Sequence, residues 1–164
     1  MVTTLGWGEH AIVEREFARC LELGVGDPGQ QAMYAINLAL FGRTEAALAT
    51  ADAALARAPA DIFVRSAVAD VYRFTRRYDQ ALAANDAILA TDPNDPLAWL
   101  RRATIYDAQG KLDLAMPALR RAFHLLADAD YADEVETYAD EIETGLREGG
   151  RQGYWQARAT VAKH

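Results

Sequence analysis

A period of 34 residues runs through most of this 164-residue chain. Written in rows of that length, the sequence places Ala35, Ala69 and Ala103 in one column and Val13, Ala47, Ala81 and Ala115 in another. Gly8, Gly42 and Gly110 share a third column, which only Arg76 breaks. Leu38, Tyr72 and Tyr106 form a large apolar column; Cys20, Ala54, Ile88 and Ala122 form a small or apolar one; Pro59 and Pro93 lie one period apart, with Ala127 next. No insertion interrupts the register. A constant period of this length marks stacked supersecondary units, because each unit has a face that it covers only with its neighbour.

Each column has a mechanical reason. Two antiparallel helices approach to the lower end of their usual spacing, roughly 8 Å, only where the side chains at the crossing are small, so the alanine columns predict the crossings. Glycine after a first helix supplies the left-handed conformation that stops it, and Arg76 in that column is expected to stop its helix by another geometry, in a strained or looser turn. Asp27, Asp61 and Asp95 precede each unit as N-caps, with Pro28 and Pro96 following two of them. Glu45, Asp79 and Asp113 place negative charge in the first turn of each second helix, where the helix dipole favours it, and Pro59 and Pro93 fall just past those helices. The expected organisation is an all-α chain of one domain. It has a half unit at 8–27, three full helix pairs at 28–61, 62–95 and 96–129 with helices of about 13 to 15 residues, and C-terminal helices at 130–164.

Beyond Ala129 the columns stop. Val135, Tyr138, Ile142 and Leu146 recur at helical spacing and predict an amphipathic helix that covers the last unit; Gly149 and Gly150 end it, and Tyr154, Trp155, Ala159 and Ala162 predict a short helix folding back. Residues 128–148 also hold nine acidic side chains against Arg147 alone, so this one segment more than accounts for the net charge of −7. Its acidic face is either solvated or a docking surface for a basic partner, and it repels nucleic acid.

These columns resemble the tetratricopeptide repeat over about 120 residues, from Gly8 to Ala129. In PLAWLRRATIYDAQGKLDLAMPALRRAFHLLA, the residues Trp99, Ala103, Tyr106, Gly110, Ala115 and Ala122 stand at the family's signature positions. Gln31 and Arg65 replace the tryptophan that Trp99 supplies, Arg102 stands where leucine is usual, and Asn85 replaces a bulky residue. The resemblance implies an alpha-alpha superhelix of about 3.5 repeats. It also implies a non-catalytic scaffold or adaptor that binds a peptide or partner protein in its concave groove. On the family's pattern the groove residues are Gly29, Ala32, Ile36 and Ala39; then Phe63, Ser66, Asp70 and Arg73; then Leu97, Leu100, Thr104 and Asp107. Ile36, Phe63 and Leu97 are apolar anchors or simply packing residues, and Arg73 is a partner for a carboxylate or a solvated side chain. The Lys and Asn clamp of the family's chaperone-docking members is absent. The segments WGEHAIVEREFARCLEL and GGRQGYWQAR are similar to the repeat region that follows a winged-helix or cyclase module in some bacterial regulators, which implies a regulatory or self-assembly alternative.

The rest of the sequence excludes more than it adds. One cysteine, Cys20, closes no intrachain disulfide, and no Cys/His spacing matches a zinc site, so neither cofactor nor metal is expected. His10, His124 and His164 are far apart, Ser66 is the only serine and lacks elbow glycines, and no phosphate loop occurs, so no catalytic site is expected. With lysine only at 111 and 163 and arginine pairs set among acids, no nucleic-acid stripe is expected. The opening MVTTLGWGEHA has no basic or apolar leader, and no run nears the roughly 20 apolar residues that span a bilayer, so a cytoplasmic protein without membrane contact is expected. The half unit lacks a preceding mate, and Ile12, Val13 and Phe17 are expected to seek cover by homodimerisation or docking.

Overall fold

The computed structural model describes residues 15, 19, 26–127 and 132–161. Among these, all regular structure is helical. Seven helices follow one another: α1 (Pro28–Leu40), α2 (Thr44–Arg57), α3 (Ile62–Phe74), α4 (Tyr78–Thr91), α5 (Pro96–Ala108), α6 (Leu112–Leu126) and α7 (Ala132–Val161). The half unit with Ile12, Val13, Phe17 and Cys20 lies outside the described residues. No described helix is long and apolar enough to cross a membrane.

Starts and stops fall where local chemistry puts them. Asp27 Oδ1 accepts from the Gly29 and Gln30 N–H groups, Asp61 Oδ1 from Val64 N–H, and Asp95 Oδ1 from Leu97 and Ala98 N–H. Each first helix is thereby capped, and Pro28 and Pro96 open α1 and α5. Glu45, Asp79 and Asp113 sit in the first turns of α2, α4 and α6, and Pro59 and Pro93 lie two residues past α2 and α4. The three turns within pairs share one geometry. Gly42 and Gly110 adopt φ +75°, and Arg76, in the same column, adopts φ +61°. The different geometry expected at Arg76 is not found: its backbone keeps the left-handed region that glycine holds in the other two turns, because the turn demands it whichever residue stands there, and the arginine is strained by it.

The chain forms two compact units, Met1–Arg76 and Arg77–His164. In the first, α1 packs on α2, and α3 packs on both. Its core is built of Ala32, Ala35, Leu38, Ala47, Ala51, Ala54, Val64, Val68 and Val71, all buried. Tyr72 on α3 donates to Asp52 on α2 at 3.0 Å, and Arg57 at the end of α2 donates to Gln31 at 3.0 Å and to the Gly26 carbonyl at 2.7 Å. In the second unit, α4 packs on α5, α5 on α6, and α6 on α7. Asn85, fully buried on α4, donates to the Ala98 carbonyl of α5 at 3.1 Å, and Arg102 on α5 pairs with Asp86 on α4 at 2.6 Å. Sequential pairwise packing of this kind is consistent with a helical repeat.

The last helix is a hairpin in disguise. At Gly150 the backbone leaves helical geometry (φ +56°, ψ −142°), the break that the glycine pair predicts. The two arms then cross with glycine against glycine. A Cβ added at Gly145 would lie 2.6 Å from the Gly153 carbonyl oxygen, and one at Gly153 would collide with the Gly145 carbonyl oxygen. Ile142 on the first arm and Tyr154 on the second join Ala103, Leu112, Met116 and Leu119 in one core.

Arg76 gives a direct test of the turn. A left-handed non-glycine residue costs roughly 1–2 kcal/mol, and glycine gives back roughly 0.5–1 kcal/mol through unfolded-state entropy. Arg76→Gly should therefore raise stability by up to about 1 kcal/mol, read as a higher urea midpoint at unchanged slope. A lower midpoint would mean that the arginine side chain holds the turn.

Candidate functional site

The first unit carries a cavity of about 750 Å³ along α1 and the start of α3. Its lining is Asp27, Gly29, Gln30, Met33, Tyr34 and Asn37 from α1 and its cap, with Asp61 and Phe63 from α3. Local sequence explains the arrangement. Gly29, Met33 and Asn37 follow one another at four-residue spacing and so share one helix face. Phe63 lies in the first turn of α3, and its ring rests over Gly29: a Cβ there would stand 3.2 Å from ring carbons Cδ1 and Cε1. Glycine at 29 thus makes room for the phenyl ring. Met33 is 44% and Phe63 54% exposed, so the apolar wall is open to solvent. At one end stand the two N-cap carboxylates, each using Oδ1 for its cap.

Of the groove residues expected in this unit, Gly29 and Phe63 come to the cavity and the others do not. Ala32 and Ala39 are buried, Ile36 packs against the core, and Ser66 is half-buried. Asp70 and Arg73 pair with each other at 3.2 Å, and the Arg73 guanidinium lies 4.1 Å from the Phe74 ring centroid. The family pattern did not point to Gln30, Met33, Tyr34 or Asn37. A usable signal was present in composition: Ala32, Ala35 and Ala39 mark the tight-packing side of α1, which leaves the stripe 29, 33, 37 to face outward.

In the second unit the expected residues part ways. Leu97 is 60% exposed, Leu100 packs against the core, and Thr104 donates its hydroxyl to the Arg101 carbonyl at 2.8 Å. Asp107 is only 5% exposed and is not open to a partner in this structure. Its Oδ2 accepts from Arg158 at 2.8 Å and from the Tyr154 hydroxyl at 3.3 Å, both on the second arm of α7. Asp107 Oδ1 is buried without a hydrogen bond among the described residues. Burial is the larger influence on this carboxyl and pushes its pKa above the usual value, against the pull of Arg158. Burial likewise raises the Tyr154 hydroxyl.

The acidic segment folds partly onto its own chain. Arg120 on α6 bonds Glu136, Asp140 (2.8 Å) and Glu143 (2.8 Å), and His124 Nε2 lies 2.6 Å from Glu136. Glu141 and Glu148 stay exposed on the same helix. Among the described residues, no three His, Cys, Asp or Glu side chains gather as metal ligands.

Two measurements probe the α7 contacts. Gly153→Ala should destabilise by about 1–3 kcal/mol through overpacking at the crossing, with faster amide exchange in 151–161; unchanged exchange would mean that the arms do not cross there. Because the folded state holds a proton on Asp107 more tightly than the unfolded chain does, this group's contribution to stability falls as pH rises from about 4. The stability difference between wild type and Asp107→Asn, followed by urea unfolding, should accordingly shift toward the variant across that range; a constant difference would remove the burial argument.

No protein-family model, no curated protein and no solved structure matches the chain.

Proposed function

We propose that this chain is a non-catalytic interaction scaffold built on tetratricopeptide-type repeats, holding an extended segment of a partner protein against the α1/α3 face. Several periodic features support the repeat type. Residues 42, 76 and 110 share a left-handed turn, and Asp27, Asp61 and Asp95 share a cap. Trp99 Nε1 donates to the Pro93 carbonyl at 2.8 Å, and Arg65 Nε, one period earlier, donates to the Pro59 carbonyl at 2.6 Å. In this reading α7 is the terminal cap, since Ile142 and Tyr154 cover apolar surface of α5 and α6 that a next unit would otherwise cover.

The observation that carries the functional part is the cavity itself. An open apolar wall of Met33 and Phe63, flanked by the amide side chains of Gln30 and Asn37, offers anchoring for a side chain and hydrogen bonding for a peptide backbone.

Selection of peptides from a displayed random library on the full chain tests the proposal. Phe63→Ala and Met33→Ala, both at exposed positions, should leave the unfolding midpoint nearly unchanged, within about 0.5 kcal/mol. Each should weaken the selected peptides about tenfold or more, as expected of anchor residues. Peptides that bind both variants as tightly as wild type would place docking elsewhere.

A further inference from the structure

Resting on that reading, we infer that the cavity between α1 and α3 is specific for a cationic side chain, an arginine or lysine presented by the partner segment. Among the described residues, the cavity lining contains two carboxylates and no basic residue. The nearby arginines are engaged elsewhere: Arg57 bonds Gln31 and the Gly26 carbonyl, and Arg65 bonds the Pro59 carbonyl. Asp27 and Asp61 are both exposed, and each commits Oδ1 to its helix cap. The remaining negative charge therefore stands at the end of an apolar trough. That combination matches a side chain with an apolar stem and a charged head. The exposed Met33 and Phe63 side chains face the stem, and the Phe63 ring offers a π-face to a guanidinium or ammonium group. At about 750 Å³ the cavity has room for such a side chain with part of its backbone, which Gln30 and Asn37 can meet with donors and acceptors. An acidic or phosphorylated segment meets the Asp27 and Asp61 carboxylates here.

Helix caps give this inference a clean test, because asparagine caps a helix as well as aspartate does but carries no charge. Fluorescein-labelled octapeptides of one neutral background, with arginine, lysine, citrulline or glutamate at the centre, are titrated with the full chain. Arginine and lysine peptides should bind about five- to twentyfold more tightly than the citrulline peptide, and the gap should shrink in 0.5 M salt. Asp27→Asn and Asp61→Asn should each reduce that preference about two- to fivefold, read within each variant as the ratio of arginine to citrulline affinity, with the helix caps kept. Citrulline or glutamate binding as tightly as arginine, with Phe63→Ala still abolishing binding, would overturn the cation inference and leave the docking face intact. Binding that ignores Phe63→Ala altogether would overturn both.

Discussion

Close approach of helix backbones at small side chains is the constraint on which the structure depends. Ala35, Ala47, Ala51 and Ala54 in the first unit, and Ala98, Ala115 and Ala122 in the second, are wholly buried. Such residues contribute little apolar area each, so cohesion comes from many short contacts between helices rather than from a few large side chains. The same tightness fixes α1 beside α3 with their capped ends together, and so it creates the cavity. In α7 the principle reaches its limit, where Gly145 and Gly153 bring the backbones of the two arms into direct contact.

Where large apolar residues are missing from the repeat, polar contacts span the gap. Arg65 stands in the tryptophan column and makes the hydrogen bond that the indole of Trp99 makes one unit later. Gln31, in the same column, instead accepts from Arg57. Arg102 pairs with Asp86 and lies 5.4 Å from the Trp99 ring centroid. Asn85 links α4 to α5 through the Ala98 carbonyl, leaving its own Oδ1 buried without a hydrogen-bond partner among the described residues. Exposed ion pairs add little stability singly, but each of these contacts selects one register between helices.

Much of the fold was legible because its signals are local and repeated. Caps, turn residues and proline positions each act within a few residues, and the period multiplies them until the helix bounds follow. The anomaly at Arg76 was legible for the same reason, as a column with one wrong occupant. The cavity was less so. A family pattern pointed to Ile36 on α1, whereas the outward face carries Met33 and Asn37; a shift of one position rotates a helix face by about 100°. Nothing local to Asp107 reveals that a segment about fifty positions later brings Tyr154 and Arg158 onto it, so the family pattern alone leaves it in an open groove.

The caps of α1 and α3 have a consequence for how this surface tolerates change. Aspartate there begins a helix with one oxygen and borders the hollow with its charge, so a replacement that cannot cap costs about 0.5–2 kcal/mol of helix stability. Only a few residues, asparagine foremost, keep the cap without the charge. Mutational drift at these two sites is therefore funnelled toward a hollow that loses its charge while the scaffold stays whole.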